Sequence, residues 1–138
     1  MMNATIVFHM AMAIAPRAEY TQDAHTIITT IARMATSKHE AAKLLIQAWR
    51  ESRFKINAVG DKGKALGAYQ LHRAPTEVLT NIALATRITI ARLRESETLC
   101  PAHPLAVFAK GNCQNKEGIA ISDARMKEVE KIEMYSTE

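Results

Sequence analysis

The sequence predicts a mainly α-helical fold, organised as a single domain that spans residues 1–138, and three observations lead to this prediction. The chain has 138 residues, of which 48% are hydrophobic, which is enough for one sizeable core and too few for two. Aromatic residues make up only 5% and there are seven methionines, so aliphatic and methionine side chains that favour helices must fill the core. Apolar residues also recur at helical spacing in successive segments.

The first segment, 4–15, is largely apolar, and we interpret it as a helix of the folded domain. It is shorter than the roughly 20 apolar residues that a membrane span needs, so we expect no span. A short signal peptide is the alternative, because the small residues at 11–13 and 13–15 resemble cleavage sites. However, no Lys or Arg precedes the run, and His9 interrupts it.

Two further helices follow, separated by a break at Thr36-Ser37. Residues 23–35 carry apolar side chains at helical spacing, namely Ile27, Ile28, Ile31 and Met34. Ser37 and Glu40 form a capping-box pattern that begins the next helix, which extends to about Glu51. This should be a buried central helix, because its polar stripe is narrow and comprises only Lys43, Gln47 and Arg50.

Glycines and turn residues predominate between 55 and 73, which predicts a loop that contains a short hairpin or no regular structure. Pro75 suits the first position of another helix, which extends to about Glu95. The apolar face of that helix comprises Leu79, Ile82, Ala83, Thr86, Ile90 and Leu93. A short helix around 104–110 and a last one from Asp123, as its N-cap, to about Glu133 complete the chain.

The chain is basic, with a formal net charge of +4 and a pI near 9.2, which favours anionic partners. Nucleic acid is not the expected partner, because no basic run is present and aromatic residues are not interleaved with Lys or Arg. Arg73, Arg87 and Arg94 are either an ordinary solvated face or a surface that attracts an anionic polymer.

The segment from Trp49 to Leu71 carries the most specific signal. It reads E-S-x-F from Glu51 to Phe54, then A-V-x-x-x-G, then G-x-x-Q ending at Gln70. This order resembles the catalytic region of the soluble lytic transglycosylase and goose-type lysozyme family. The resemblance implies a lysozyme-like domain with a glycine-containing loop or short hairpin after the catalytic helix, and Glu51 as its catalytic acid and base.

The position of Glu51 suits that role on physical grounds. It lies at the C-terminal end of its helix, where the helix dipole is negative, and three apolar residues are near in sequence, namely Leu44, Trp49 and Phe54. Both features disfavour a negative charge, and a glycosidase needs a protonated carboxyl to donate to the leaving oxygen. The alternative is a solvated helix-end residue paired with Arg50 or Arg53.

The resemblance also implies substrate contacts by Ser52, Gly67, Tyr69 and Gln70. Three departures from the family pattern occur in the loop. Gly60 stands where the family has Ser, one extra residue precedes Gly67, and Tyr69 takes the place of a Met.

Residues 105–111 are similar to a later family segment, A-x-x-Y-N-x-G. Phe108 stands in the position of the Tyr whose hydroxyl is implied to contact the catalytic Glu, and Ala109 replaces the Asn. Phenylalanine cannot make that hydrogen bond. We therefore expect Phe108 to form a hydrophobic wall of the cleft.

Ordinary glycosidases use two carboxylates, whereas the family is implied to need one, since the muramic acid 6-hydroxyl attacks to give a 1,6-anhydro product. Asp61 is the candidate for a second carboxylate, which would make the protein a hydrolytic lysozyme. We favour a turn role for Asp61.

Cys100 and Cys113 either form a disulfide or remain two thiols. A zinc site with His103 is disfavoured, because no fourth ligand lies nearby. We expect neither a metal nor a cofactor.

The sequence therefore predicts an enzyme that cleaves the β-1,4 bond between N-acetylmuramic acid and N-acetylglucosamine in peptidoglycan, in the periplasm or outside the cell. Its organisation fits a bacteriophage lysis or virion-associated enzyme, or an accessory of a bacterial secretion machine, with proteins of those assemblies as partners. One alternative is a non-catalytic structural protein with the lysozyme-like fold. Another is a basic helical protein that binds nucleic acid.

Overall fold

The computed structural model describes residues 2–14 and 20–134, and within these ranges most residues lie in six α-helices. The helices are α1 Ala4–Ile14, α2 Gln22–Met34, α3 Lys38–Ser52, α4 Ile82–Leu99, α5 Ala106–Lys110 and α6 Lys116–Met134. Between α3 and α4 lie two short strands, β1 Val59–Gly60 and β2 Ala65–Leu66, and two 3-10 turns, Asp61–Gly63 and Thr76–Leu79. The predicted mainly α-helical class is confirmed.

Helix α3 is the central helix, as predicted. It packs against α1, α2, α4 and α6, and every residue from 40 to 48 is buried. Its fully buried aliphatic side chains, Leu44, Leu45 and Ile46, each stabilise the fold by about 1.5–3 kcal/mol. Two residues of the polar stripe, Lys43 and Gln47, are buried as well, whereas Arg50 is exposed. Lys43 is compensated by Glu97, whose carboxylate lies 2.8 Å from the Lys43 Nζ.

The capping box at the start of α3 forms with one change of partner. The Ser37 hydroxyl accepts a hydrogen bond from the Glu40 backbone N–H at 3.0 Å, as predicted. The Glu40 carboxylate, however, accepts from the backbone N–H of Thr36 instead of that of Ser37. It also binds Arg94 of α4, at 3.0 Å, so Arg94 joins two helices.

The predicted start of α4 is wrong, because Pro75 precedes a 3-10 turn and the α-helix begins only at Ile82. Asn81 supplies the physical reason. Its side-chain oxygen accepts a hydrogen bond from the Leu84 N–H at 2.9 Å and caps the helix.

The last helix begins earlier than predicted, at Lys116, so Asp123 lies within α6 and is not its N-cap. Asn115 caps this helix by accepting a hydrogen bond from the Gly118 N–H at 2.9 Å. Gly118 inside the helix conceals this start in the sequence. A β-carbon at position 118 would lie 3.1 Å from the Lys110 side chain of α5, so this glycine allows α5 and α6 to approach closely.

The apolar first segment is a helix of the fold up to Ile14, and residue 15 lies outside the described ranges. Helix α1 buries Val7, Met10 and Ala11 and packs against α2, α3 and α6. Among the described residues, none of the helices has the length and apolar character to cross a bilayer.

Candidate functional site

The end of α3 is a tight backbone reversal that the Ser52 side chain supports. Arg53 and Phe54 both have positive φ, +56° and +61°, a conformation that costs free energy for residues other than glycine. The Ser52 hydroxyl donates to the Ala48 carbonyl at 3.1 Å and accepts from the Lys55 N–H at 3.0 Å. Ser52 is buried, so the structure gives its hydroxyl a role in ending the helix, where the sequence predicted a contact with substrate.

Glu51 lies two residues before Arg53, the first residue of this reversal, and contacts Arg125 of α6. The Arg125 Nη1 donates to Glu51 Oε2 at 2.8 Å and also to the Gln47 side-chain oxygen. The exposed fraction is 28% for the Glu51 side chain and 15% for that of Arg125, whereas Gln47 is buried. A carboxylate that solvent can reach is therefore held by a nearly buried cation.

Arg50 and Arg53, the partners of Glu51 in the alternative interpretation, both have other partners in the structure. Arg50 pairs with Glu128 of α6 at 2.7 Å, and the Arg53 guanidinium lies 4.5 Å above the Trp49 ring. Within the described residues, neither arginine pairs with Glu51. The cation that contacts Glu51 is Arg125, which comes from a helix and lies 74 residues later in the chain.

The glycine-containing segment forms a small antiparallel hairpin, one of the two alternatives that the sequence left open. Val59 pairs with Leu66 and Gly60 with Ala65. Leu66 then exchanges two backbone hydrogen bonds with Leu71, at 3.0 and 2.9 Å. These pairings fix the path of the chain after α3.

The Gln70 side chain holds this hairpin together from inside. Its amide nitrogen donates to the carbonyls of Ala58 and Gly67, at 3.1 and 3.0 Å, and its backbone has a positive φ of +50°. A β-carbon on Gly60 would overlap the Gln70 side-chain oxygen, so a larger residue there would displace this amide. Both amide hydrogens of Gln70 are thus used by the loop, where the sequence predicted contacts with a sugar.

Gly67 and Tyr69 serve the packing of the loop. Gly67 has a positive φ of +82°, and a β-carbon there would lie 3.3 Å from the Val78 carbonyl oxygen. Tyr69 is completely buried, and its hydroxyl bonds that of Thr86 at 2.9 Å. The expected sugar contact by Tyr69 is therefore corrected, because the side chain lies in the core.

Asp61 lies in the turn between β1 and β2, where its positive φ of +47° fits the favoured turn role. Its side chain is 58% exposed, and its carboxylate lies 3.6 Å from the His72 Nε2. Within the described residues, no hydrogen bond or ion pair joins Asp61 to Glu51.

Phe108 lies in α5 and is partly buried against the core, and its N–H donates to the Ser96 hydroxyl at 3.2 Å. The segment that carries it is closed by a disulfide between Cys100 and Cys113, whose Cα atoms are 5.6 Å apart. Of the two states that the sequence left open for these cysteines, the structure has the disulfide.

Arg125 and Gln47 are the site residues that the sequence analysis missed. A signal was present, since the buried residues of α6, Gly118, Ser122, Val129 and Ile132, recur at helical spacing and position 125 falls on the same face. An arginine on a core-facing position needs a buried acceptor. That inference required the correct start of α6.

A groove of about 510 Å³ lies between α1, α3 and α6, and its lining includes Ile14, Ile46, Arg50, Glu128 and Lys131. Glu51 does not line it. The candidate site at Glu51 is therefore distinct from this groove.

In the described part of the chain, no three His, Cys, Asp or Glu side chains are grouped as a metal ion would require. His103 pairs with Asp123 at 2.9 Å, and both cysteines belong to the disulfide. Searches with this chain matched no family model, no curated protein and no solved structure.

Proposed function

We propose that this protein is a peptidoglycan lytic transglycosylase that uses Glu51 as its single catalytic carboxyl group. The observation that carries the proposal is the position of Glu51, which is partly exposed at the end of a buried helix, directly before a strained reversal and a glycine-containing hairpin. Strained backbone persists where the surrounding fold over-determines it, and such segments cluster at active sites.

The proposed reaction needs only one carboxyl group. Protonated Glu51 donates its proton to the glycosidic oxygen, the bond from that oxygen to C1 of N-acetylmuramic acid breaks, and N-acetylglucosamine leaves as an alcohol. The resulting Glu51 carboxylate then takes the proton of the muramic acid 6-hydroxyl as its oxygen bonds to C1. The products are a 1,6-anhydro end and a regenerated acid.

A role outside the cytoplasm is part of the proposal and is supported by the disulfide. Bonds such as Cys100–Cys113 persist in the periplasm, on virions and outside cells, whereas cytoplasmic thiols are kept reduced. The chain would act there on peptidoglycan glycan strands, as part of a bacteriophage or of a secretion machine.

A hydrolytic lysozyme on the same scaffold is the second candidate, with Asp61 activating a water molecule. The exposure of the Asp61 side chain favours it, since the carboxylate is open to solvent. The turn geometry of Asp61 explains the same residue without a catalytic role.

A non-catalytic structural protein is the third candidate. It is favoured by the internal partners of the predicted site residues, since Ser52, Tyr69 and Gln70 all bond to the protein itself. Such a protein would need Glu51 only for its contact with Arg125.

The three candidates separate in one experiment, in which purified peptidoglycan is digested with the wild-type protein, Glu51→Gln and Asp61→Asn, and soluble fragments are analysed by mass spectrometry. Transglycosylase activity gives 1,6-anhydro ends, abolished in Glu51→Gln and retained in Asp61→Asn. Hydrated reducing ends lost in both variants would instead identify a hydrolase. No release by the wild-type protein would overturn the enzyme proposal and favour the structural role.

A further inference from the structure

Two neighbouring ion pairs join helices α3 and α6, and the acidic residue is on α3 in one pair and on α6 in the other. Glu51 of α3 binds Arg125 of α6, and Arg50 of α3 binds Glu128 of α6. The two pairs link the same two helices at adjacent positions. Each one is therefore the natural control for the other.

The two pairs differ in geometry. Arg50 uses Nε and Nη2 against both carboxylate oxygens of Glu128, at 2.9 and 2.7 Å, and its side chain is 42% exposed. Arg125 is more buried and uses Nη1 for Glu51 Oε2 and for the Gln47 oxygen. Within the described residues, the hydrogen bonds of Glu51 involve Oε2 and leave Oε1 unengaged.

We propose that Arg125 is a positioning residue that holds Glu51 Oε2 so that Oε1 is the oxygen that exchanges a proton with the glycan. This inference rests on the proposed function. Gln47 is buried and four residues before Glu51 on α3, and its oxygen accepts from the same Nη1, so it fixes the guanidinium from the protein interior. The carboxyl group then has one orientation before substrate binds.

This arrangement would assist both steps of the proposed reaction. When Oε1 gives up its proton to the glycosidic oxygen, negative charge develops on the carboxylate, and the Arg125 cation is already in place to stabilise it. The same orientation presents Oε1 to the muramic acid 6-hydroxyl in the second step. Holding a reacting group in place is worth a large factor in rate, since misplacement by about 1 Å can cost about a hundredfold.

The test measures kcat and KM separately on soluble, peptide-free glycan strands for the wild-type protein, Arg125→Met, Arg125→Lys and Glu128→Gln. We expect Arg125→Met to lower kcat by about ten- to a hundredfold with KM nearly unchanged. Arg125→Lys should recover part of kcat, because its ammonium can still donate to Glu51. Glu128→Gln, the matched control, breaks the neighbouring pair and should keep kcat within about twofold.

Thermal unfolding shows whether each variant is folded. If Arg125→Met does not fold, the kcat of Arg125→Lys is compared with that of Glu128→Gln to test the positioning role. Unchanged kcat in Arg125→Met, or in Arg125→Lys if that comparison is needed, would overturn the positioning role. An equal loss of kcat in Glu128→Gln would also overturn it, because the loss would then come from weakening the contact between α3 and α6. If the wild-type protein is active and only Glu51→Gln loses that activity, the positioning role of Arg125 is wrong and the proposed function stands. If the wild-type protein is inactive, both the proposed function and this inference are wrong.

Discussion

The Gln70 side chain occupies the space that a β-carbon on residue 60 would need, so Gly60 and Gln70 fit together as a pair. The backbone of Gly60 has φ −132°, which any residue can adopt. A larger residue at position 60 would have to displace the Gln70 amide, so the cost of such a substitution is steric and depends on the residue at position 70. In this protein, the small residue and the amide together keep the hairpin closed.

Gly60→Ser should lower the free energy of unfolding by about 1–3 kcal/mol, since it overpacks the inside of the hairpin. Denaturant unfolding measures this. The effect should shrink when Gln70→Ala is present as well, because the clash is then removed. Equal losses in both backgrounds would contradict the pairing of the two residues.

Breaking the disulfide should destabilise the fold by roughly 3 kcal/mol, since it closes a loop between positions 13 apart in the sequence. The measurement is the thermal unfolding midpoint of the wild-type protein with and without a reducing agent. The double variant Cys100→Ala with Cys113→Ala should match the reduced protein and respond no further to the reductant. An unchanged midpoint on reduction would show that the bond contributes nothing to the stability of the native state.

The sequence predicted the helical class and the central position of α3. A helix with few polar residues must be buried on most of its sides, and this pattern can be recognised in the sequence. The predicted starts of α4 and α6 are wrong. The determining groups there are the Asn81 and Asn115 side chains, whereas Pro75 and Asp123, the more familiar helix-start signals, do not begin an α-helix.

The candidate site was predicted less well than the fold, for a physical reason. Local motifs relate residues that are close together in the chain, and the choice of Glu51, Gly67 and Gln70 as site residues rested on such a motif. The partner of Glu51 lies 74 residues away, and the inward direction of Tyr69 depends on Thr86 of α4. Both facts come from helix packing, which no motif encodes.

The ion pair of Glu40 should make stability fall in acid. Burial alone would raise the pKa of Glu40, but hydrogen bonds from Arg94 and Thr36 outweigh it and hold the pKa below its ordinary value of 4.5. The unfolded chain then binds the proton first as the pH falls. The stabilisation is thus complete above about pH 4.5 and is lost as the pH decreases further.

Glu40→Gln should therefore be less stable than the wild-type protein at pH 7 and should lose less stability between pH 7 and pH 3. Urea unfolding across this range measures both effects. Glu95→Gln, at an exposed position of α4, is the control and should follow the wild-type curve. A parallel pH dependence in Glu40→Gln and the wild-type protein would refute the assignment to Glu40.

The buried Tyr69 should make stability fall in alkali. Burial raises the pKa of Tyr69, and the hydrogen bond with Thr86 offsets only part of the rise. A tyrosine in the unfolded chain ionises near pKa 10, so the unfolded state loses its proton first as the pH rises. The contribution of Tyr69 to stability is complete below about pH 10 and is lost above it.

Tyr69→Phe separates this role from the predicted contact with substrate. The variant should be about 1 kcal/mol less stable at pH 7, because Thr86 loses its partner, and its stability should fall less steeply above pH 10. Its release of peptidoglycan fragments per folded molecule should equal that of the wild-type protein. A loss of fragment release with unchanged stability would instead indicate that Tyr69 contacts the substrate, which its complete burial argues against.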